Sequence, residues 1–164
     1  MRKDISMTYS LGSKSLRNLR TVDPRLQAVV KLAIQYSTVD FAVHEGARSV
    51  AAQRENIKKG VSWTMRSKHI IRDGQKFARA VDLVPYINGM VRWEWEACFK
   101  VAVAMRRAAE ELGVPLEWGG SWSMLTGTRE HPRELNRRYV VARLKAGKKA
   151  QPDGPHFQLP DGFK

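Results

Sequence analysis

Hydrophobic residues recur every three or four positions in three stretches of the chain, a spacing that predicts amphipathic helices. The first stretch covers residues 24–36 and follows Asp23, which is placed as an N-cap before a proline. The second covers residues 94–112 and precedes Gly113, a residue type that commonly ends helices. The third covers residues 132–144 and is rich in basic side chains. The first two helices are expected to supply core packing and no reactive groups.

Shorter stretches alternate apolar and polar residues, and these predict strands. One covers residues 39–43, a second contains Asp82, and a third at residues 116–118 turns into a Gly-rich loop. Between the first two, Ser49 is placed to cap a further helix that Gly60 ends. Helices and strands therefore share the chain without a regular βαβ order.

Two basic regions are less regular than the rest of the chain. Residues 1–20 are predicted to be an irregular basic lead-in, and residues 123–152 a basic insertion or a loop and helix region. A basic stretch of this kind is usually a solvated face, and a tether to phosphate-rich polymers is the more specific hypothesis. Trp118 and Trp122 are candidates for a cleft wall, with core packing an equally good interpretation.

Composition limits the possible classes of protein. With 164 residues and 43% apolar content, the chain is long enough for one domain with a proper core. Its 29 Lys and Arg against 16 Asp and Glu give a formal charge of +13, which favours nucleic acid, anionic lipid or an anionic cell envelope as partners. The single cysteine, Cys98, excludes a disulfide framework.

No stretch approaches the roughly 20 apolar residues of a transmembrane helix. The sequence after Met1 is polar and contains no apolar segment typical of a secretory signal, so we expect the protein to accumulate in the cytoplasm.

The candidate chemistry lies in two segments that are distant in sequence. His69 and Asp82 offer an imidazole and a carboxylate, which catalytic zinc accepts as ligands while one position stays open to water. Further along the chain, Asp153 lies three residues before His156. One carboxylate to bind a metal, one to act as a base, and two histidines would make a hydrolytic zinc centre.

The spacing of these residues resembles the zinc D,D-peptidases. Ser-Lys-His-Ile at 67–70, Ala-x-Asp at 80–82, Pro-Tyr-Ile-Asn-Gly at 85–89 and Asp-Gly-x-His at 153–156 are similar to the phage endolysin branch of L-alanyl-D-glutamate endopeptidases. The family has fewer residues between its first histidine and its aspartate, and we interpret residues 72–77 as a loop insertion around the Asp-Gly turn signal.

The resemblance implies a role for each site residue. His69, Asp82 and His156 would bind zinc, and Asp153 would act as the general base and later the proton donor. Arg48, Gln53 and Ser67 would bind substrate; these three match family positions near the cleft. A guanidinium such as that of Arg48 can hold a carboxylate in a bidentate fork.

We therefore predict an α+β fold, a single peptidase domain with a small antiparallel sheet flanked by helices. The predicted function is zinc-dependent cleavage of the L-alanyl-D-glutamate bond in bacterial peptidoglycan by a monomer. D-alanyl-D-alanine carboxypeptidase activity is the alternative on the same scaffold. A basic nucleic-acid-binding protein with a structural metal site is a third interpretation, although structural zinc sites usually have four protein ligands and are rich in cysteine. As in phage endolysins, a separate membrane-permeabilising protein would release the enzyme to the wall, where anionic envelope polymers are possible electrostatic contacts.

Overall fold

The computed structural model describes residues 8–164, in which five helices surround one antiparallel sheet. The helices are α1 (Ser13–Leu19), α2 (Pro24–Tyr36), α3 (Val50–Lys58), α4 (Trp95–Glu111) and α5 (Pro132–Lys145). The strands are β1 (Asp40–Glu45), β2 (Ala80–Ile87), β3 (Met90–Val91), β4 (Glu117–Trp118), β5 (Ser123–Met124) and β6 (His156–Gln158). Their order across the sheet is β1-β2-β6-β4-β5, with β3 paired to β2. The predicted α+β fold is confirmed.

The two helices with the clearest apolar pattern, α2 and α4, form the core with the sheet. The Asp23 side chain accepts a hydrogen bond from the Arg25 amide at 2.9 Å, which caps α2 as its sequence predicts. Gly113 follows α4 with a φ of 67°, a left-handed conformation that ends a helix at little cost for glycine. Ser49 caps α3 by accepting from the Ala52 amide at 3.0 Å.

Alternation along the central strands separates a core face from a cleft face. Val81 and Leu83 of β2 and Phe157 of β6 are fully buried in the core. Their neighbours Asp82 and His156 point to the opposite face, because successive strand side chains alternate in direction. The sheet thus carries apolar packing on one side and chemistry on the other.

One expectation for the N-terminal region was wrong. Residues 1–7 of the predicted lead-in lie outside the described residues, but α1 occupies much of the rest as a regular helix. Ser15 is buried and its Oγ accepts a hydrogen bond from the Val43 amide at 3.0 Å, while the Asn18 side chain donates to the Val43 carbonyl at 2.9 Å. Polar contacts to β1 hold this helix in place. Contacts of this kind leave little apolar periodicity in the helix sequence.

The predicted loop at residues 72–77 is present as an exposed turn. The Gln75 amide donates to the Arg72 carbonyl at 2.9 Å, and Gly74 has a φ of 80°, as the Asp-Gly signal predicts. The basic region at 123–152 contains β5 and α5, in agreement with the predicted loop and helix region. Among residues 8–164, no helix combines the length and apolar character needed to cross a bilayer.

Candidate active site

Three side chains from distant parts of the sequence converge at the bottom of a cleft. Nε2 of His69, Oδ1 of Asp82 and Nδ1 of His156 form a triangle whose sides are each 3.2 Å. The two histidines are buried, and the group faces a cleft of about 740 Å³. The predicted ligand set is therefore brought together.

The sheet register holds two of the three donors. Asp82 of β2 is paired directly with His156 of β6, so their side chains project side by side from the same face. On the other side of Asp82, Glu45 of β1 is its pairing partner after a bulge between Val43 and Glu45. Bulges often occur beside active sites, where they redirect a side chain.

The third donor, His69, lies in the loop between α3 and β2 and is held by backbone contacts. Its Nδ1 lies 2.7 Å from the Gly46 carbonyl, an acceptor, so Nδ1 donates and Nε2 presents a lone pair to the cleft. The Arg48 amide donates to the His69 carbonyl at 2.8 Å. A Cβ on Gly46 would lie 2.4 Å from the Asn18 carbonyl oxygen in α1, so only glycine allows this approach.

A second relay sets the tautomer of His156. The Gln158 amide donates from Nε2 to the Glu117 carboxylate at 2.6 Å, which leaves its Oε1 facing His156. His156 Nε2 lies 2.8 Å from that oxygen and must donate to it, so Nδ1 presents its lone pair inward. Outer contacts of this kind orient the histidine ligands of metal sites.

The donor set fits a zinc ion. With both imidazoles neutral in these tautomers, two lone pairs and one carboxylate oxygen face one another, so they stay unsatisfied unless an imidazole takes up a proton or a cation binds between them. Donors about 2.0–2.1 Å from a tetrahedral zinc lie about 3.3 Å from each other, which the observed triangle matches. A cation at this centre would satisfy all three acceptors.

Charges around the triangle favour the anion on Asp82. Burial opposes its ionisation, but the charges and hydrogen bonds of His69 and His156 outweigh burial and hold the pKa of Asp82 well below its ordinary value. Arg48 adds a positive charge, with Nη2 3.9 Å from Asp82 Oδ2. For His156, burial works against the imidazolium, yet its contacts with Asp82 raise the pKa. The Asp82 carboxylate thus stabilises positive charge on the side chains next to it.

The fourth predicted residue, Asp153, lines the same cleft from the loop before β6. Its amide donates to the Gly119 carbonyl at 2.8 Å, and its carbonyl accepts from the His156 amide at 3.3 Å. A Cβ on Gly119 would lie 2.5 Å from the Asp153 carbonyl oxygen, so glycine permits this packing. Burial and the nearby Asp82 charge raise the pKa of Asp153, a perturbation common in catalytic acids and bases.

Arg48 faces the cleft, but its bidentate edge is engaged within the protein. Nε and Nη2 donate to the two carboxylate oxygens of Glu45 at 2.5 and 2.7 Å, and Nη1 donates to Gln53 Oε1 at 2.6 Å. The bidentate edge of the Arg48 guanidinium, which was predicted to bind a substrate carboxylate, thus binds Glu45. Only the N–H groups outside these bonds can reach a ligand.

The structure places Gln53, a predicted substrate contact, beneath the surface of the cleft. Gln53 is fully buried, and its side chain is used in bonds to Arg48, to Ser62 Oγ at 2.8 Å and to the Thr64 carbonyl at 2.5 Å. Gln53 therefore organises the residues around the cleft without reaching into it.

The remaining candidates divide between cleft and core. Ser67 lines the cleft, and its Oγ accepts from the His69 amide at 3.3 Å. Trp122 also lines the cleft, whereas Trp118 is fully buried and donates from Nε1 to the Gly154 carbonyl at 2.8 Å. Sequence reasoning missed Trp63, an exposed cleft residue, because a single aromatic in a polar loop carries no periodic signal.

Comparison with known proteins identifies the family. A sequence model described as phage L-alanyl-D-glutamate peptidase matches residues 7–140. The chain belongs to this family. The phage L-alanyl-D-glutamate peptidase match contains His69 and Asp82 and ends before Asp153 and His156, which the geometry of the cleft adds to the set.

Individual members of the phage L-alanyl-D-glutamate peptidase family agree. The L-alanyl-D-glutamate peptidase of Escherichia phage T5 is 38% identical over 121 residues, covering 71% of this chain and 84% of that protein. The corresponding peptidase of Listeria phage A118 is 26% identical over 120 residues, or 71% of this chain, and the match spans 40% of the Listeria phage protein.

A solved structure extends the likeness to the fold. The crystal structure of the Serratia marcescens L-Ala D-Glu endopeptidase ChiX has a TM-score of 0.69 and 38% identity, with 96% of this chain and 94% of that chain covered. The family resemblance predicted from the motifs is confirmed.

Proposed function

We propose that this chain hydrolyses the L-alanyl-D-glutamate bond of peptidoglycan stem peptides with a zinc ion held by His69, Asp82 and His156. The observation that carries the proposal is the triangle of three acceptor atoms, 3.2 Å on each side, that faces a large cleft. Three protein donors and one open position are typical of catalytic zinc. When bound, zinc would acidify a water molecule and polarise the scissile carbonyl.

Asp153 would move the protons. Its carboxylate lines the cleft beside the triangle, and its raised pKa suits a group that accepts and then releases a proton. It would take a proton from the attacking water and deliver it to the amine nitrogen of D-glutamate as the C–N bond breaks. Water oxygen then forms the new carboxylate of L-alanine, so the reaction is a balanced hydrolysis.

Arg48 and Ser67 would orient the substrate and the ligands. The guanidinium of Arg48 lies between Glu45 and Asp82, so it supports the Asp82 anion and directs its other N–H groups to a carbonyl or carboxylate of the peptide. In an Arg48→Lys variant, kcat/KM should fall by roughly tenfold, because a point charge cannot span these partners. Near-normal kcat/KM would contradict this role. Ser67 Oγ–H can donate to a carbonyl of the bound peptide.

The decisive experiment is digestion of purified muropeptides followed by mass analysis. An L-alanyl-D-glutamate endopeptidase leaves L-alanine on the glycan and releases a peptide with a new D-glutamate amino terminus. Release of free D-alanine instead would show D-alanyl-D-alanine carboxypeptidase activity. Chelator should stop the reaction and zinc should restore it; full activity in chelator would overturn the zinc assignment. An uncut substrate with tight nucleic-acid binding would favour the structural-metal alternative.

The basic surface suggests a second attraction to the wall. Three arginines of α5 are paired, Arg133 with Glu96, Arg137 with Glu134, and Arg138 with Glu130. Lysines at 145, 148 and 149 add positive charge at the end of this helix. Added salt should therefore weaken binding to anionic walls more than cleavage of a small soluble muropeptide, and an equal response would exclude a tether.

Access to the wall is part of the proposal. We infer that the protein acts as a monomer and reaches peptidoglycan from the host cytoplasm once a separate protein has permeabilised the membrane. Lysis of host cells expressing the chain alone, without a permeabilising partner, would contradict this route.

A further inference from the structure

Two tryptophans extend the cleft outward from His69, Asp82 and His156, here called the metal group. The ring of Trp122 is 5.2 Å from the ring of His156, centre to centre, and the ring of Trp63 is a further 5.7 Å from Trp122 in an edge-to-face arrangement. Trp63 is 52% exposed although it is a large apolar residue. Together they form an angular aromatic surface, the tryptophan corner, that begins beside His156 and ends in solvent.

Hydrogen bonds hold both parts of the corner in position. Trp122 donates from Nε1 to the Gln151 carbonyl at 2.7 Å and has a φ of 45°, a strained conformation for a bulky residue. On either side of Trp63, Ser62 Oγ and the Thr64 carbonyl both accept from the buried amide of Gln53. An exposed tryptophan whose two neighbours are anchored is a preorganised contact surface.

The proposed substrate supplies an occupant for this corner. In peptidoglycan the L-alanine of the stem peptide is joined through a lactyl group to an amino sugar, so a pyranose ring lies one residue from the scissile bond. A pyranose ring has a face of polarised C–H bonds, and the π face of tryptophan is negatively polarised. We propose that Trp63 and Trp122 bind the amino-sugar ring that carries the stem peptide. This inference rests on the proposed function and adds a glycan subsite to it.

The opposite rim of the cleft fits the sugar less well. Trp93 is also exposed, but it packs against His44 of β1 at 6.1 Å, at the other edge of the sheet from the β4–β5 turn that holds Trp122. Arg48 also lines the cleft, and its N–H groups outside the bonds to Glu45 and Gln53 suit the carboxylate of D-glutamate. The tryptophan corner would therefore take the sugar side of the bond, and Arg48 would take the peptide side.

The test compares two substrates that differ only in the sugar. One is a muramyl peptide with the L-alanyl-D-glutamyl bond, and the other has an acetyl group in place of the muramyl group. Trp63→Ala should lower the ratio of their kcat/KM values by on the order of tenfold, as expected for loss of a central aromatic contact. Trp63→Phe should recover much of the ratio. Trp93→Ala, a matched loss of an exposed tryptophan, should leave the ratio within about twofold of its original value.

Binding of a peptide-free glycan fragment, measured by calorimetry, tests the corner without turnover. Affinity should fall several-fold in Trp63→Ala and not in Trp93→Ala. An unchanged ratio and unchanged glycan affinity in Trp63→Ala would overturn the glycan subsite while the proposed function stands. If the unsubstituted protein cleaves neither substrate, the proposed function fails, and glycan binding still decides the role of the corner.

Discussion

The two sides of the metal group are held by different kinds of structure. Asp82 and His156 are paired residues on neighbouring strands, so the sheet register alone sets their separation. His69 lies in the loop between α3 and β2 and depends on single contacts, mainly those with the Gly46 carbonyl and the Arg48 amide. A pair on strands is positioned by many cooperative bonds, whereas a loop residue is positioned by a few. The loop side is therefore the more sensitive to small changes.

The largest effect is expected from removal of any of the three proposed zinc ligands. His69→Ala, Asp82→Ala and His156→Ala should each lose stoichiometric zinc and all measurable hydrolysis, because no fourth described residue completes the group. Zinc content by elemental analysis and muropeptide digestion would check this. If His69→Ala alone kept its zinc, the loop side would be dispensable and the comparison would fail.

Replacement of Asp153, the proposed base, should separate catalysis from zinc binding. Asp153→Asn keeps the size of the side chain but cannot accept a proton, so turnover should fall by roughly 10²- to 10⁴-fold while zinc is retained. Loss of zinc in this variant would make Asp153 a ligand instead. Near-normal turnover would place the base elsewhere, with Glu45 at the cleft as the next candidate.

A methyl group on Gly46 should weaken the loop side specifically. It would meet the Asn18 carbonyl and Thr21 Oγ1 at 2.4 Å, which would displace the carbonyl that orients His69. Zinc affinity should fall by roughly 10- to 100-fold, the range seen when an outer partner of a ligand is lost. Gly12→Ala is the matched control, since a Cβ there meets nothing within 4 Å. Equal affinities in the two variants would show that the Gly46 contact is unimportant.

The corresponding change on the strand side should have a smaller effect. Gln158→Met removes the acceptor for His156 Nε2–H but leaves the pairing of β6 with β2 in place. Zinc affinity should fall by about tenfold or less, near the lower end of the range for outer partners. Competition with a chelator of known affinity would measure it. A larger loss than in Gly46→Ala would reverse the proposed order of sensitivity.

The convergence of the three proposed metal ligands could be predicted from sequence because few residue types at motif spacing carry the chemistry. His69, Asp82 and His156 follow from Ser-Lys-His, Ala-x-Asp and Asp-x-x-His, and the loop of residues 72–77 does not separate them in space. Helices such as α2 and α4 follow from apolar periodicity and end signals, which are local properties of the sequence.

The rest depended on contacts that are distant in sequence. Helix α1 is held by polar bonds from Ser15 and Asn18 to β1, for which no local pattern exists. Glutamine is usually a surface residue, so the sequence gives no sign that Gln53 is buried. Only the fold shows that its side chain is hydrogen-bonded to Arg48 and to the Thr64 carbonyl. The pairing of Arg48 with Glu45 likewise could not be predicted without knowing the position of the bulge in β1.

The contact between Gly46 and α1 has a consequence for protein engineering. From the sequence, residues 13–21 look like a dispensable leader. In the structure, Gly46, whose carbonyl accepts from the His69 ring, packs against this segment. The C-terminal segment contacts the loop that carries His69. Lys68 donates to the Leu159 carbonyl at 2.6 Å, and Arg79 donates to the Phe163 carbonyl at 2.6 Å. Both segments therefore support the part of the chain that carries His69, a proposed zinc ligand. We expect trimming of either segment to lower activity, so added wall-binding modules should be joined beyond them through a flexible linker.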